Sequence, residues 1–536
     1  MKNKNTTTGR TQKPLRSATQ QNAQKKYHSL PIIPVLPILF VLTYLWAAWY
    51  FGDVLRMARE RSFWVPSTEE MEFLLQQNFG WGWSLGRLLI MPMRYPWAGA
   101  LIPAVLITLG TWLTGYVLRL KGNLRFLEYI PAGLYFSWMT YEGINWFHEN
   151  EKGMIFAVPF FVVLLLAVCA IAVAFITRGS AVPALVRKPK DETSMQNWLQ
   201  VGMLVLIFGG CALFDHFQRP YTRVMAREDV CMLNQDWQGI MKVARDNATL
   251  SYRPIAAKYA IALVETNQIC ERLYDIRLDY DSLYLHSQNG KHCMELNMYQ
   301  EDCDYYAGFM ETCIHHAIER NTMIGPNIRS LELLTKCAIM RKEWENAYRY
   351  LRILRDVPFE GSFVDKYTKY VGDTAVIKND PEMALIMELE PIHDSFENNY
   401  QQPTFLGYNL ALMEGRSKNA LMNSLAVCMY TKLMPAFMMR TAPLQGSTPP
   451  ENIADALCLM TAKDASIPSR FAGLEYRMSQ LQSSLTAMKP YLSDRPGNAR
   501  MLFDTYKGYY PYYYFFGNLK ATKKRNTDAS SSAGVN

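Results

Sequence analysis

Two sets of residues in this 536-residue chain have side chains suited to chemistry. The first is a string of histidines and cysteines: His292, Cys293, Cys303, Cys313, His315 and His316. Thiolate and imidazole are zinc ligands, but strong zinc patterns place paired ligands only two to five positions apart, whereas nine residues separate each cysteine here from the next. These residues are weak metal candidates, and no cofactor is expected. The second set lies in or beside long apolar runs: Glu128, Glu142, Asp215 and His216. A charge inside a bilayer costs enough to be a functional hypothesis by default. All four, however, fall near the edges of their runs, where a side chain can reach water, so a structural role is the expectation. No Walker loop, G-x-S-x-G, H-E-x-x-H or dinucleotide fingerprint occurs in the sequence. Of the ten cysteines, Cys169 and Cys211 fall in apolar runs, and most others sit among apolar residues as small hydrophobes.

Five apolar runs must position these groups: 30–51, 97–118, 126–146, 154–177 and 198–214. Each approaches the ~20 residues needed to cross a bilayer. The tail 1–29 carries Lys2, Lys4, Arg10, Lys13, Arg16, Lys25 and Lys26 with no acid, accounting for 7 of the chain's net +8 charges. The remainder is near neutral, so nucleic-acid binding has no support. Arg119, Lys121 and Arg125 lie between the second and third runs, and Arg178, Arg187, Lys188 and Lys190 between the fourth and fifth. The loop between the third and fourth holds Glu149 and Glu151. Basic segments mark the cytoplasmic side, which puts the N-terminus inside and everything after Asp215 outside. Arg56, Arg59 and Arg61 run against this pattern, but they belong to a long loop, and long loops translocate largely regardless of charge. In that loop Ser67 and Glu70 form a capping box, and Trp81, Trp83 and Trp97 suit a segment lying in the interface.

The transmembrane region, 30–217, is followed by a domain from 218 to 519, rich in apolar sets at i, i+3, i+4, i+7. The fold class expected is all-α: a five-helix transmembrane region, then a tetratricopeptide-like α-helical solenoid. Asp236, Trp237, Ile240, Met241 and Ala244 match Glu343, Trp344, Ala347, Tyr348 and Leu351 in type and spacing, and the tryptophans are 107 positions apart. That is close to three units of a ~34-residue helical hairpin repeat, with Trp237 and Trp344 as buried repeat-defining residues. A further unit reads from Phe405 to Cys428. A plain helical bundle is the competing reading. The aromatic run from Tyr506 to Phe516 either seals the last repeat or forms a sticky surface. Residues 520–536, with Lys520, Lys523, Lys524 and Arg525, read as a solvated tail.

The basic tail, the five spans, the repeat opening at Asn234, Gln235, Asp236 and Trp237, and the end at Phe503, Asp504, Thr505 and Tyr506 resemble an uncharacterised family of envelope proteins from Bacteroidota. The resemblance implies a bacterial inner-membrane protein with a periplasmic domain and transfers no catalytic residue. It also implies that Asp281-Ser282-Leu283 and Asp373-Thr374-Ala375 fit an O-glycosylation pattern. The function expected is a membrane-anchored, non-catalytic periplasmic scaffold that touches the lipid bilayer and binds a protein partner of the cell envelope through its repeat surface. The alternative is a transporter or a glycan- or lipid-handling enzyme with a polar site among the spans.

Overall fold

The computed structural model describes residues 34–67, 72, 76, 78–148, 150–176, 194–278, 299–390 and 417–517. The basic tail, all the charges of the 177–193 loop, Glu70, His292, Cys293, the Asp281 triplet, the Phe405–Leu412 unit and the 520–536 tail lie outside these residues. The described chain is all helical, with no strand among the described residues.

Three helices are long and apolar enough to cross a membrane: Pro96–Val117, Met154–Ile176 and Met195–Gln218. The count reaches four if Val35–Tyr50 and Gly52–Glu60, bent by 62° at Phe51, form one broken span. Five unbroken spans were expected, and the 126–146 run is where the expectation fails. Residues Gly122–Tyr129 form a 3-10 helix, and the α-helix that follows, Ile130–Glu142, has only 13 residues. At ~1.5 Å per residue that is about 20 Å, short of the ~30 Å hydrocarbon core. Pro131 has no N–H to give the preceding turn and its ring clashes with it, so an α-helix starts there but cannot run through. Gly143, at φ 52°, ends the helix. The interrupted segment still runs lengthwise beside Met195–Gln218. A Cβ on Gly122 would sit 3.6 Å from Gln196, one on Gly133 would sit 3.3 Å from Ile207, and one on Gly143 would sit 3.0 Å from Thr222.

The first run is broken differently. Its α-helix, Val35–Leu45, loosens into a π-helix, Trp46–Tyr50, closed by a 2.7 Å bond from the Phe51 N–H to the Trp46 carbonyl. The extra residue leaves Trp46 buried and stacked on Phe51, while Trp49 is 84% exposed. Helix Gly80–Ile90 packs so closely on the start of Met154–Ile176 that a Cβ on Gly86 would lie 1.9 Å from the Gly153 carbonyl oxygen. Only glycine fits that contact.

Beyond Gln218, short helices pack each on the next: Tyr221–Leu233, Trp237–Asp246, Arg253–Glu265, Gln300–Tyr306, Met310–Ile324, Ile328–Met340 and Trp344–Arg355. One turn recurs between them. Gln235, Asn267, Gly308 and Lys342 each take positive φ. Each is followed by an N–H that bonds back five residues at 2.8 Å: Asp236 to Cys231, Gln268 to Leu263, Phe309 to Asp304 and Glu343 to Ala338. This Schellman closure satisfies the carbonyls at one helix end and launches the next helix within two residues. The four turns are spaced by 32, 41 and 34 residues. Trp237 and Trp344 are the first residues of their helices, as the spacing suggested, but both are half-buried where full burial was expected. At a helix's first position one side of the ring projects past the helix below. Trp237 is covered edge-on by Tyr306, at 5.4 Å between ring centres.

The C-terminal aromatics seal a helix pair. In helix Tyr510–Phe516 the Tyr510, Tyr512, Tyr513 and Phe516 side chains are buried. The Tyr513 hydroxyl donates to the Tyr430 carbonyl at 2.7 Å and Tyr510 to Met429 at 3.2 Å, tying the end of the chain to helix Lys418–Tyr430.

Candidate functional site

The ends of three of the apolar segments meet the helical array at residues 51–67, 143–153 and 219–233, and a layer of buried charge fills the junction. Arg59, fully buried at the end of helix Gly52–Glu60, bonds Glu60 at 3.1 Å, the carboxylate of Glu360 and, at 2.8 Å, the Pro358 carbonyl. Arg94 reaches Glu60 from outside at 3.0 Å. Arg61 lies 3.7 Å from Glu301 and 3.9 Å from Asp302. Arg329 holds the other face of Asp302 at 2.7 Å, and the Ile328 N–H donates to the Ser62 carbonyl at 3.2 Å. Nearby, Lys258 pairs with Asp229 at 2.7 Å. Such a layer is costly to desolvate, and once built each ion depends on its partners.

Burial and the neighbouring charges set the protonation of this layer. Glu332 is pushed up to about 7 by burial and then by Glu360 and Glu60. Glu228 has both carboxylate oxygens buried without a hydrogen-bond partner, and burial holds its carboxyl well above the ordinary range. His148 is held neutral by burial and by Arg61, Arg320, Lys258 and Lys152 around it. Oxygens of Glu60, Glu332 and Glu360 lie within 4.8 Å of one another, the only metal-like grouping among the described residues. The Arg59 guanidinium already bridges Glu60 and Glu360, so cationic charge stands where a metal would bind. The arrangement is an ion-pair lattice.

A second feature opens beside this layer. A groove of about 990 Å³ lies between the π-helix, the Met195–Gln218 span and helices Tyr221–Leu233 and Trp237–Asp246. Its apolar wall includes Leu42, Leu45, Trp49, Phe208 and Ala212, and its polar rim is Asp53, His216, Arg223, Arg227 and Asp246. Asp215, buried behind the rim, accepts a bond from the Tyr50 hydroxyl at 2.9 Å and one from Arg223 Nε at 2.6 Å. The Arg223 guanidinium rests 4.4 Å over the Tyr50 ring, and Arg227 lies 3.6 Å from Asp53.

Of the residues singled out from sequence, only Asp215 and His216 come together at this groove. Glu142 is half-buried and accepts from Asn145 at 3.2 Å and Asn150 at 3.0 Å, closing the turn after its helix. Glu128 is buried 4.0 Å from Arg125. His316 bonds Asp304 at 2.7 Å and Gln300 at 2.9 Å, His315 is exposed beside Glu319, and Cys313 is buried against Cys337. These residues therefore do not converge on one point. Sequence reasoning missed Tyr50, Arg223 and Arg227, and the whole Arg59-Glu60-Arg61 corner. The run of three charges closing an amphipathic helix was the available signal for the corner.

A related acid gives a pH prediction. Glu265 is pushed up to about 8 by burial and then by Glu382, and one of its oxygens is buried without a bond. Because the folded state holds this proton more tightly than the unfolded state, stability should fall as pH rises from about 4.5 to about 8. Glu265→Gln removes that dependence. The variant should unfold at a higher temperature than the parent at pH 8, with the gap closing towards pH 5. Equal gaps at both pH values would mean that Glu265 is ionised in the folded state.

The fold and site thus define an all-helical protein with helices long and apolar enough to cross a membrane and a helical array locked to them by buried ion pairs. The chain belongs to the family of unknown function DUF6057, whose model matches residues 134–517. No curated protein and no solved structure matches it. The matched region holds the array, the lower wall of the groove with Asp215 and Arg223, and the aromatic end, while Leu42–Asp53 and Arg59–Arg61 precede it.

Proposed function

We propose that this protein is a non-catalytic scaffold anchored in the bacterial inner membrane, with its helical array in the periplasm holding a protein partner. The array is a degenerate tetratricopeptide-like stack. The recurring turn supports this: its intervals of 32, 41 and 34 residues fill the 107 positions between Trp237 and Trp344 and bracket the ~34-residue hairpin period. Stacks of this kind offer extended surfaces for recognition.

The observation that carries the reading is the outer face of helix Trp344–Arg355. The helix buries Ala347, Leu351 and Leu354 and turns Tyr348, Arg349, Arg352, Ile353 and Arg355 outward, with Tyr348 54% exposed. Aromatic and arginine side chains side by side on an open face are the composition enriched in interface cores. Meanwhile Glu128, Glu142 and Asp215 each have local partners that account for their presence. A photo-crosslinking residue at Tyr348 in living cells should capture one discrete protein, and the same residue at Tyr476, on helix Leu474–Met488, should capture less of it. Equal labelling at both positions would remove the case for this face.

Periplasmic placement rests on the basic tail and the basic 119–125 and 178–190 segments, and the described part of these, Arg119 to Arg125, lies at the end of the helices away from the array. A reporter active only in the cytoplasm, fused after Asn536, should be silent. Activity there would reverse the orientation. The lipid-handling alternative keeps one point in its favour, the groove, whose apolar wall is formed by membrane segments.

A further inference from the structure

We propose that the groove is a binding site for a single phospholipid with an amine-bearing, zwitterionic headgroup. This rests on the membrane reading above and is independent of the protein partner. The groove joins two environments. Leu42, Leu45, Trp49, Phe208 and Ala212 line one end, on segments whose neighbouring residues Val41, Val205, Leu206 and Leu213 are openly exposed and face lipid if the spans cross a bilayer. Arg223, Arg227, Asp53, His216 and Asp246 line the other end, where those segments meet the array. An acyl chain matches the first end and a polar headgroup the second.

The charges choose the headgroup. Arg223 uses its Nε on Asp215 and packs its flat face on Tyr50, while Arg227 stands near Asp53. Each guanidinium is thereby held in place by one carboxylate with terminal N–H groups left over, because arginine carries five donors. A phosphate diester offers two oxygens that such a pair can clamp. The rim is not cationic: Arg223 and Arg227 face Asp53 and Asp246, two charges of each sign, with Asp215 buried behind them. A lipid bearing a net negative charge would upset that balance. A zwitterion keeps it, with its phosphate on the arginines and its ammonium towards Asp246 across the groove. The π-helix makes the space, since its extra residue swings Trp49 to the groove side and aims Tyr50 at Asp215. π-bulges of this sort concentrate at functional sites.

The test uses the full chain in mild detergent, exchanged into mixed vesicles of phosphatidylethanolamine and phosphatidylglycerol. Lipid retained after repurification is then counted by native mass spectrometry. The parent should keep one phosphatidylethanolamine in preference to phosphatidylglycerol. Ala212→Phe, which fills the apolar end without touching the rim, should abolish retention. Arg227→Gln should lower retention of both lipids by about tenfold, the loss of one charge-assisted contact. Asp246→Asn should erase the preference for the amine lipid while leaving total retention in place. Glycerophosphoethanolamine, which has the headgroup but no chains, should not displace the bound lipid. Retention that survives Ala212→Phe, or a parent that keeps phosphatidylglycerol equally well, would overturn the proposal. If alkaline washing strips the chain from membranes, the membrane reading itself fails; if the chain stays but holds no lipid, only the groove proposal does.

Discussion

Replacing Arg59 with Met should destabilise the folded protein by about 3 to 5 kcal/mol, the usual cost of removing one partner from a buried ion pair. Among the described residues Arg59 is the only cation that touches both Glu60 and Glu360 at hydrogen-bond range, and all three side chains are closed to solvent. Without it the two carboxylates face each other with Arg94, partly exposed, as the remaining counter-charge. The effect should be pH-dependent, because protonating the stranded carboxyls relieves it, so the loss should shrink as pH is lowered towards 5. Adding Glu360→Gln to Arg59→Met should recover part of the loss, and thermal unfolding of the four proteins in detergent measures that coupling. Because Arg59 follows the first apolar run and Glu360 precedes helix Gly361–Thr368, loss of the pair should also raise protease access to the array before the apolar helices unfold. An additive double variant would mean that the charge layer is not what joins the two parts.

The second large effect is expected at the other end of the array. Tyr510→Ala should cost about 3 to 5 kcal/mol, as for other fully buried large aromatics. Its ring is fully enclosed, it tilts against Tyr274 at 5.2 Å, and its hydroxyl donates to Met429. Tyr506, half-buried on the preceding helix, should cost much less when replaced by Ala. Unfolding midpoints of the two variants decide between a seal and a surface patch: similar small losses would return the aromatic run to the role of an exposed contact.

What could be read from sequence follows from how local each cause is. The helices Met154–Ile176 and Met195–Gln218 are unbroken apolar runs, so length and hydropathy locate them to within a few residues. The 126–146 run is also largely apolar despite Glu128 and Glu142, but Pro131 and the 3-10 turn before it act through backbone hydrogen bonding that a hydropathy count does not see. Similarly, Asp236, whose side chain accepts from the Gly239 N–H, marks the start of helix Trp237–Asp246, because capping is local, whereas Glu343 stands before helix Trp344–Arg355 without a side-chain cap. How deeply each tryptophan is buried depends on helices far away in sequence, and that is where full burial was wrongly expected.

The candidate site divides along the same line. Asp215 and His216 stood out because a charge at a span end is locally conspicuous. Their partners Tyr50 and Arg223 gave no such signal, Tyr50 being one aromatic among several at a membrane edge. The charge layer joins Arg59 to Glu360 across 301 positions, and nothing in the local pattern of either residue points to the other. The His and Cys string, conspicuous in sequence, resolves in its described part into a buried His316 bonded to Asp304 and Gln300, an exposed His315 and a buried thiol contact.

The central claim is that recognition by the array, and not chemistry at an ionisable residue, is what the protein contributes. Complementation of a null strain at matched protein level tests it most directly. Glu128→Gln, Glu142→Gln and the double change His315→Ala with His316→Ala should each restore the phenotype, while a chain lacking about Asn234 to Tyr400 should insert in the membrane and fail. If Glu142→Gln alone reproduced the null phenotype while the protein stayed folded and inserted, the scaffold account would be contradicted and a polar site among the spans would take its place.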